Sequence, residues 1–221
     1  DCCHTSEACT LYKAGRLIAF FAGLHDLGKC SPPFALRTDS AETRRLRSLY
    51  VGTDCDCDMF QPAHNVPHGY VTAMKLPEIL NDEHQFPMRF AKRVSEIIGG
   101  HHGIFATGDD FARIDGYHLN ESLGGEAWDE ARKALVNELA RVFDVSFNDL
   151  EFSLPALDHA ASMVFAGLVS VADWIGSDAD FFKCLVEDWT KLSDHDLDEY
   201  LKVAKVRADT AVDELGRVHR P

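Results

Sequence analysis

Two histidine pairs set the chemical question in this chain. His25-Asp26 lies in "GLHDLGKCSPPF", where an apolar stretch ends in a proline-rich turn, and His101-His102 lies in "GGHHG". Adjacent side chains can both reach one cavity where a helix unwinds, and glycines let a chain turn tightly beside a ligand. A third element, Asp173 in "SVADWIGSD", sits on the most apolar long run, 156–175. A buried carboxylate there needs a partner, because an unpaired one costs several kcal/mol or becomes neutral. A neighbouring helix or a metal would supply it. Imidazoles and carboxylates without thiolates suit Mn²⁺, Fe²⁺, Co²⁺ or Ni²⁺ better than Mg²⁺ or Zn²⁺. Such ions activate water for hydrolysis, and a pair roughly 3.5–4 Å apart suits phosphoester cleavage.

The elements that must position these residues read as helices, since apolar residues recur at helical spacing and no alternating strand pattern appears. Leu11–Leu24 carries Leu17, Ile18, Phe20, Phe21 and Leu24 on a broad buried face, with Gly28 as a C-cap. A short helix is predicted over 40–49, opened by Ser40. "HGYVTAMKLPEIL" (68–80) is predicted helical, bent or ended by Pro77. "MRFAKRVSEIIGG" (88–100) follows. The stretch 103–125, with five glycines, reads as loop. Helices are then predicted over 126–143, from Pro155 to Ile175 as a central buried helix rather than a membrane span, and from Ser193 to Gly216. The expectation is one all-α domain over 1–221.

The chain has 221 residues and a net charge of −14. That acidity counts against nonspecific nucleic-acid binding, which draws on Lys and Arg, unless bound cations or a basic partner domain offset it. Seven scattered cysteines, including Cys55 and Cys57 in "DCDCD", lack zinc-ribbon spacing. They fit a reduced, cytoplasmic protein, with "DCDCD" as a polar loop. The start at Asp1 reads as partway through a longer chain.

"AGLHDLGKCSPPF", "HGYVTA", "GGHHG" and "GLVSVADWIGSD", in that order, resemble the HD nuclease domain of the CRISPR-associated helicase-nuclease of type I interference systems, in the HD phosphohydrolase superfamily. The matches run from residue 1 to about 180, and "YLKVAKVRADTAVDELG" resembles that domain's last helix. The resemblance implies an HD-domain helical bundle with a metal site at its centre and two divalent ions. Asp26 would bridge them, with His25 and Asp173 on the first and His68, His101 and His102 on the second. It implies that Lys29 contacts phosphate, and Ser170 and Ser177 orient Asp173 or touch DNA. His64 competes with His68 as the middle ligand; His68 opens the matching phrase and is preferred. A further family histidine would precede Asp1, and His4 is not promoted to that role. The remaining histidines, His84, His118, His159, His195 and His219, default to surface or structural roles.

The implied activity is metal-dependent degradation of single-stranded DNA, the strand displaced when a guide RNA pairs with its target. Implied partners are a helicase domain, on the same or another chain, and an RNA-guided surveillance complex. Two rival readings are a phosphohydrolase acting on nucleotides or cyclic nucleotides, and a catalytically idle docking module.

Overall fold

The computed structural model describes residues 6–35, 66–116, 123–145, 157–182 and 196–218. The chain is all-α, and no strand occurs among the described residues. In order, the elements are α1 (Ser6–Gly23), a 3-10 turn (Leu27–Lys29), α2 (Pro32–Ala35), α3 (His68–Asp82), α4 (Met88–Gly99), α5 (Gly108–Gly116), α6 (Glu126–Val142), α7 (His159–Gly176) and α8 (Asp196–Val218). Two compact units divide within α7, Asp1–Gly167 and Leu168–Pro221. The predicted helix over 40–49, the "DCDCD" cysteines, His4, His64, His118, His195, His219, Pro155 and Ser193 lie outside the described residues.

In the first unit, Phe20 and Phe21 of α1 and Leu24 just after it are buried, whereas Ile18 is exposed, so the buried face is narrower than the pattern predicted. The Phe21 ring meets Phe86 edge-on at 5.5 Å, and Phe86 stacks on Phe90 at 5.8 Å. Aromatic contacts of this kind add about 0.5–1.5 kcal/mol beyond area burial and fix α1 against the start of α4. α4 buries Phe90, Ala91, Val94, Ile97 and Ile98, spaced for one helical face. α3 continues through Pro77, which sits inside it, so the predicted end there is not observed. Residues 108–116 form α5 within the stretch read as loop.

α6 buries Trp128, Arg132, Val136 and Ala140 at four-residue spacing, which places a charged residue in an otherwise apolar stripe. α7 departs from the central buried helix that its composition predicted. It buries Ser162, Ala166 and Val169, while Met163, Val164, Leu168, Val171 and Trp174 are exposed. An apolar run fixes a helix's composition but not how many of its faces are covered. By length and composition α7 could cross a membrane. In the second unit α8 runs past Gly216 to Val218.

Candidate metal centre

α1 stops at Gly23, and the chain tightens through short turn bonds: Leu24 N–H to Phe21 O, His25 N–H to Ala22 O and Leu27 N–H to Leu24 O. Asp26, at φ −93° and ψ 9°, precedes the 3-10 turn. This local unwinding lets two neighbouring side chains face the same place, as the sequence pattern required. The predicted C-cap role of Gly28 is not observed: Gly28 is buried inside the 3-10 turn, five residues past the helix. A β-carbon on it would lie 1.8 Å from the His68 carbonyl oxygen, so glycine is needed for close approach to the start of α3.

His25 Nδ1 donates to the Ala22 carbonyl at 2.7 Å, and His101 Nδ1 donates to the Ile98 carbonyl at 2.8 Å. A carbonyl oxygen can only accept, so each neutral ring carries its proton on Nδ1 and its lone pair on Nε2. The His25 Nε2 lies 3.3 Å from Asp26 Oδ2. The His68 Nε2 lies 3.2 Å from both His101 Nε2 and Asp26 Oδ1, and His101 Nε2 is 3.7 Å from Oδ1. Asp26 Oδ1 is buried without a hydrogen bond in line. His102 joins the group: ring nitrogens of His68, His101 and His102 all lie within 4.8 Å of one another.

Several ring nitrogens and a carboxylate thus converge on one point, with the His25 and His101 tautomers set by the backbone carbonyls behind them. That arrangement fits a divalent cation, which removes the repulsion between facing lone pairs. Burial would raise the Asp26 carboxyl, but the His25 and His68 rings and the Lys29 ammonium outweigh it and hold the group well below the usual carboxylate range. Burial holds the His101 ring below the ordinary imidazole value, against the raising effect of its bond to Ile98. Both groups are therefore in the protonation state that a metal requires at neutral pH.

Lys29 Nζ donates to Asp26 Oδ2 at 2.5 Å and lies over the Phe34 ring at 5.5 Å. Thr72 Oγ1 accepts the Gly28 N–H at 2.9 Å and lies 3.0 Å from the His25 carbonyl and 3.2 Å from that of His68, to either of which it can donate. The buried Arg132 guanidinium donates to the carbonyls of Cys30 (2.6 Å) and Leu123 (3.2 Å) and to Asp129 Oδ1 (2.6 Å). Thr72 and Arg132 thereby brace the turn that carries Asp26 and Lys29. Sequence reasoning missed both. Thr72 lies one turn after His68, a spacing that marks it as facing the same side, whereas nothing in the pattern marks Arg132 as buried.

The first unit brings together His25, Asp26, Lys29, His68, His101 and His102. Ser170, Asp173 and Ser177 belong to the second unit, where Ser177 Oγ donates to Asp173 Oδ1 at 3.3 Å. Asp173 is partly buried rather than enclosed on an apolar helix. His84 packs edge-on against Phe20 at 6.3 Å, a structural role.

An all-helical fold with histidines and one aspartate gathered where three helical segments meet defines an HD-type domain. Residues 3–182 match the family model described as Cas3, HD domain, and the chain belongs to that family. The match takes α7 into the domain. A CRISPR-associated endonuclease/helicase Cas3 from Thermus thermophilus is 31% identical over 199 residues, covering 90% of this chain and 20% of the relative. The chain spans about a fifth of the length of the curated relatives it matches. Among solved structures, a chain of a CRISPR RNA-guided surveillance complex in a pre-nicking state aligns with TM-score 0.65 and 25% identity, covering 92% of this chain and 23% of that one. The Thermus thermophilus Cas3 HD domain, solved in the presence of Ni²⁺, aligns with TM-score 0.60 and 26% identity, covering 93% and 69%.

Proposed function

We propose that this chain is a metal-dependent deoxyribonuclease domain that degrades single-stranded DNA, the strand displaced by a guide RNA in CRISPR type I defence. The observation that carries the reading is the convergence of His25, Asp26, His68 and His101, with His102 at the rim, on one point lined by acceptor atoms. In this reading His68, His101, His102 and Asp26 would hold one divalent ion, and Asp26, His25 and Asp173 would hold a second. Mn²⁺, Fe²⁺, Co²⁺ or Ni²⁺ suits these donors. When bound, the ions supply an activated water and neutralise charge on the phosphate.

The chain's own residues do the rest. The carbonyls of Ala22 and Ile98 fix which nitrogen of His25 and His101 faces inward. Asp26 remains ionised across the neutral pH range. Lys29 places its ammonium beside Asp26, where it would meet a nonbridging phosphate oxygen. Ser170 and Ser177 orient Asp173 or contact the strand. The named relatives combine nuclease and helicase, which supports a helicase as source of the strand, a surveillance complex as the recruiting partner and a cytoplasmic location.

The test is cleavage of a linear single strand, a duplex and mononucleotides with Mn²⁺, Co²⁺ or Ni²⁺, and with EDTA. Faster loss of the single strand, abolished by EDTA, supports the reading. Rapid hydrolysis of mononucleotides without DNA cutting would assign the chain to nucleotide chemistry instead.

A further inference from the structure

α4 ends at the candidate metal centre, and its outer face is basic. Arg89, Lys92 and Arg93 line a cleft of about 460 Å³ with Glu96, Asp158 and His159. A second cavity of about 310 Å³ shares Arg93, Glu96 and His159 and extends to Phe105. The two form one groove. Among the described residues no ion pair engages Arg89, Lys92 or Arg93, whereas Arg16, Lys75, Arg113, Arg132, Lys133 and Arg141 each hold a carboxylate. Asp158 in the groove is committed to the start of α7, where Oδ1 accepts the Ala161 N–H at 2.8 Å. In a chain of net charge −14, three uncommitted cations against Glu96 and Asp158 leave the lining of this groove positive on balance.

The far end of the groove is lined by Phe105, a chain neighbour of the centre. Phe105 lies three residues after His102, is 40% exposed, and packs so closely on Gly100 that a β-carbon there would lie 2.2 Å from its ring. Arg93 is eight residues before His101, about 12 Å along a helix. A positive track beside an aromatic ring is the combination that holds single-stranded nucleic acid without reading its sequence.

We propose that this groove is the track for the incoming strand, with Arg89, Lys92 and Arg93 holding backbone phosphates and Phe105 offering its open ring face to a base beside His102. The inference rests on the single-stranded DNA reading and adds the path by which the strand reaches the centre. It also answers the acidity of the chain: the cations are few, but they are uncommitted and grouped.

The test is the affinity of the 221-residue chain for a fluorescein-labelled oligothymidylate, followed by anisotropy in EDTA over a series of salt concentrations. The Arg89→Ala/Lys92→Ala/Arg93→Ala variant should bind at least about tenfold more weakly, with a log–log salt slope shallower by about 2, since each neutralised phosphate contributes about 0.7 on a single strand. Phe105→Leu should cost about tenfold while leaving the slope unchanged, because stacking is not electrostatic. If circular dichroism shows the triple variant unfolded, the exposed substitution Lys92→Glu carries the same test. Equal affinity and equal slope in wild type and variant overturn the track. Failure of the wild-type chain to bind oligothymidylate overturns the DNA reading itself, and the track with it. Binding of polyglutamate that the variant loses, with oligothymidylate binding unaffected, gives the groove to an acidic protein and overturns the proposal.

Discussion

Gly69 and Gly99 face each other where α3 begins and α4 ends. A β-carbon on Gly69 would lie 2.1 Å from the Gly99 carbonyl oxygen, and one on Gly99 would lie 2.4 Å from that of Gly69. This backbone-to-backbone contact sits beside His68 on one helix and two residues before His101 on the other. It is what brings their Nε2 atoms to 3.2 Å. Gly99→Ala should force the helices apart, lowering stability by about 1–3 kcal/mol, the range for overpacking, and weakening Ni²⁺ uptake. Urea unfolding with titration calorimetry checks both. Lost stability with unchanged uptake would mean the crossing does not set the centre.

Asp26 faces His25, His68 and His101 together, so its removal should damage metal binding more than the fold. Ni²⁺ in roughly 100-fold excess over its Kd should raise the wild-type Tm by about 5–10 °C. Asp26→Ala should remove that shift and lower single-strand cleavage at least about 100-fold, with the helical circular dichroism retained. Near wild-type cutting would rule out the assignment.

His68 and His64 make separable predictions. His68→Ala should lower metal content and cleavage much more than His64→Ala, because His68 lies 3.2 Å from both Asp26 Oδ1 and His101 Nε2. Equal losses, or the reverse order, would make His64 the ligand.

Thr72 is completely buried and holds the Gly28 N–H. Thr72→Val removes the acceptor while conserving shape, leaving a buried donor unsatisfied at a cost of about 1–3 kcal/mol. Metal affinity should fall about 10-fold or more, as for other supports of a metal site. Thr72→Ser should restore both. A valine variant as stable and as tight for metal as wild type would show that the methyl packing, and not the hydroxyl, holds the turn.

Asp129 gives a pH dependence of stability. Burial works against its ionised form, but the Arg132 hydrogen bond and the Arg132 and Lys75 charges prevail and depress its pKa. A depressed carboxylate contributes stability that is fully present above its unfolded pKa, about 3.9, and is lost as pH falls through the lower folded value. The stability gap between wild type and Asp129→Asn should therefore be constant above about pH 5 and close as the pH drops. Urea midpoints over this range measure it; a gap that widens in acid would contradict the assignment.

The helices over 68–82, 88–99 and 126–142 were legible because their apolar residues recur at helical spacing and glycines or prolines punctuate them. His25-Asp26 and His101-His102 were legible for a different reason. Two metal-binding types side by side at a helix end have little other use, and four motifs in one order carried the family. What the pattern left undecided depends on distant neighbours. Gly28 has a C-cap's composition, yet its lack of a β-carbon serves the approach of α3, forty residues away in sequence. The 156–175 run reads as buried from its hydropathy, yet exposure depends on which faces other elements cover. Arg132 reads as a surface residue of an amphipathic helix until the Cys30 and Leu123 carbonyls, supplied by separate segments, satisfy its guanidinium in the core. Local chemistry and periodicity are written along the chain. The close approaches and shared hydrogen bonds that aim the site exist only after the helices pack, since they join residues whose only relation is through space.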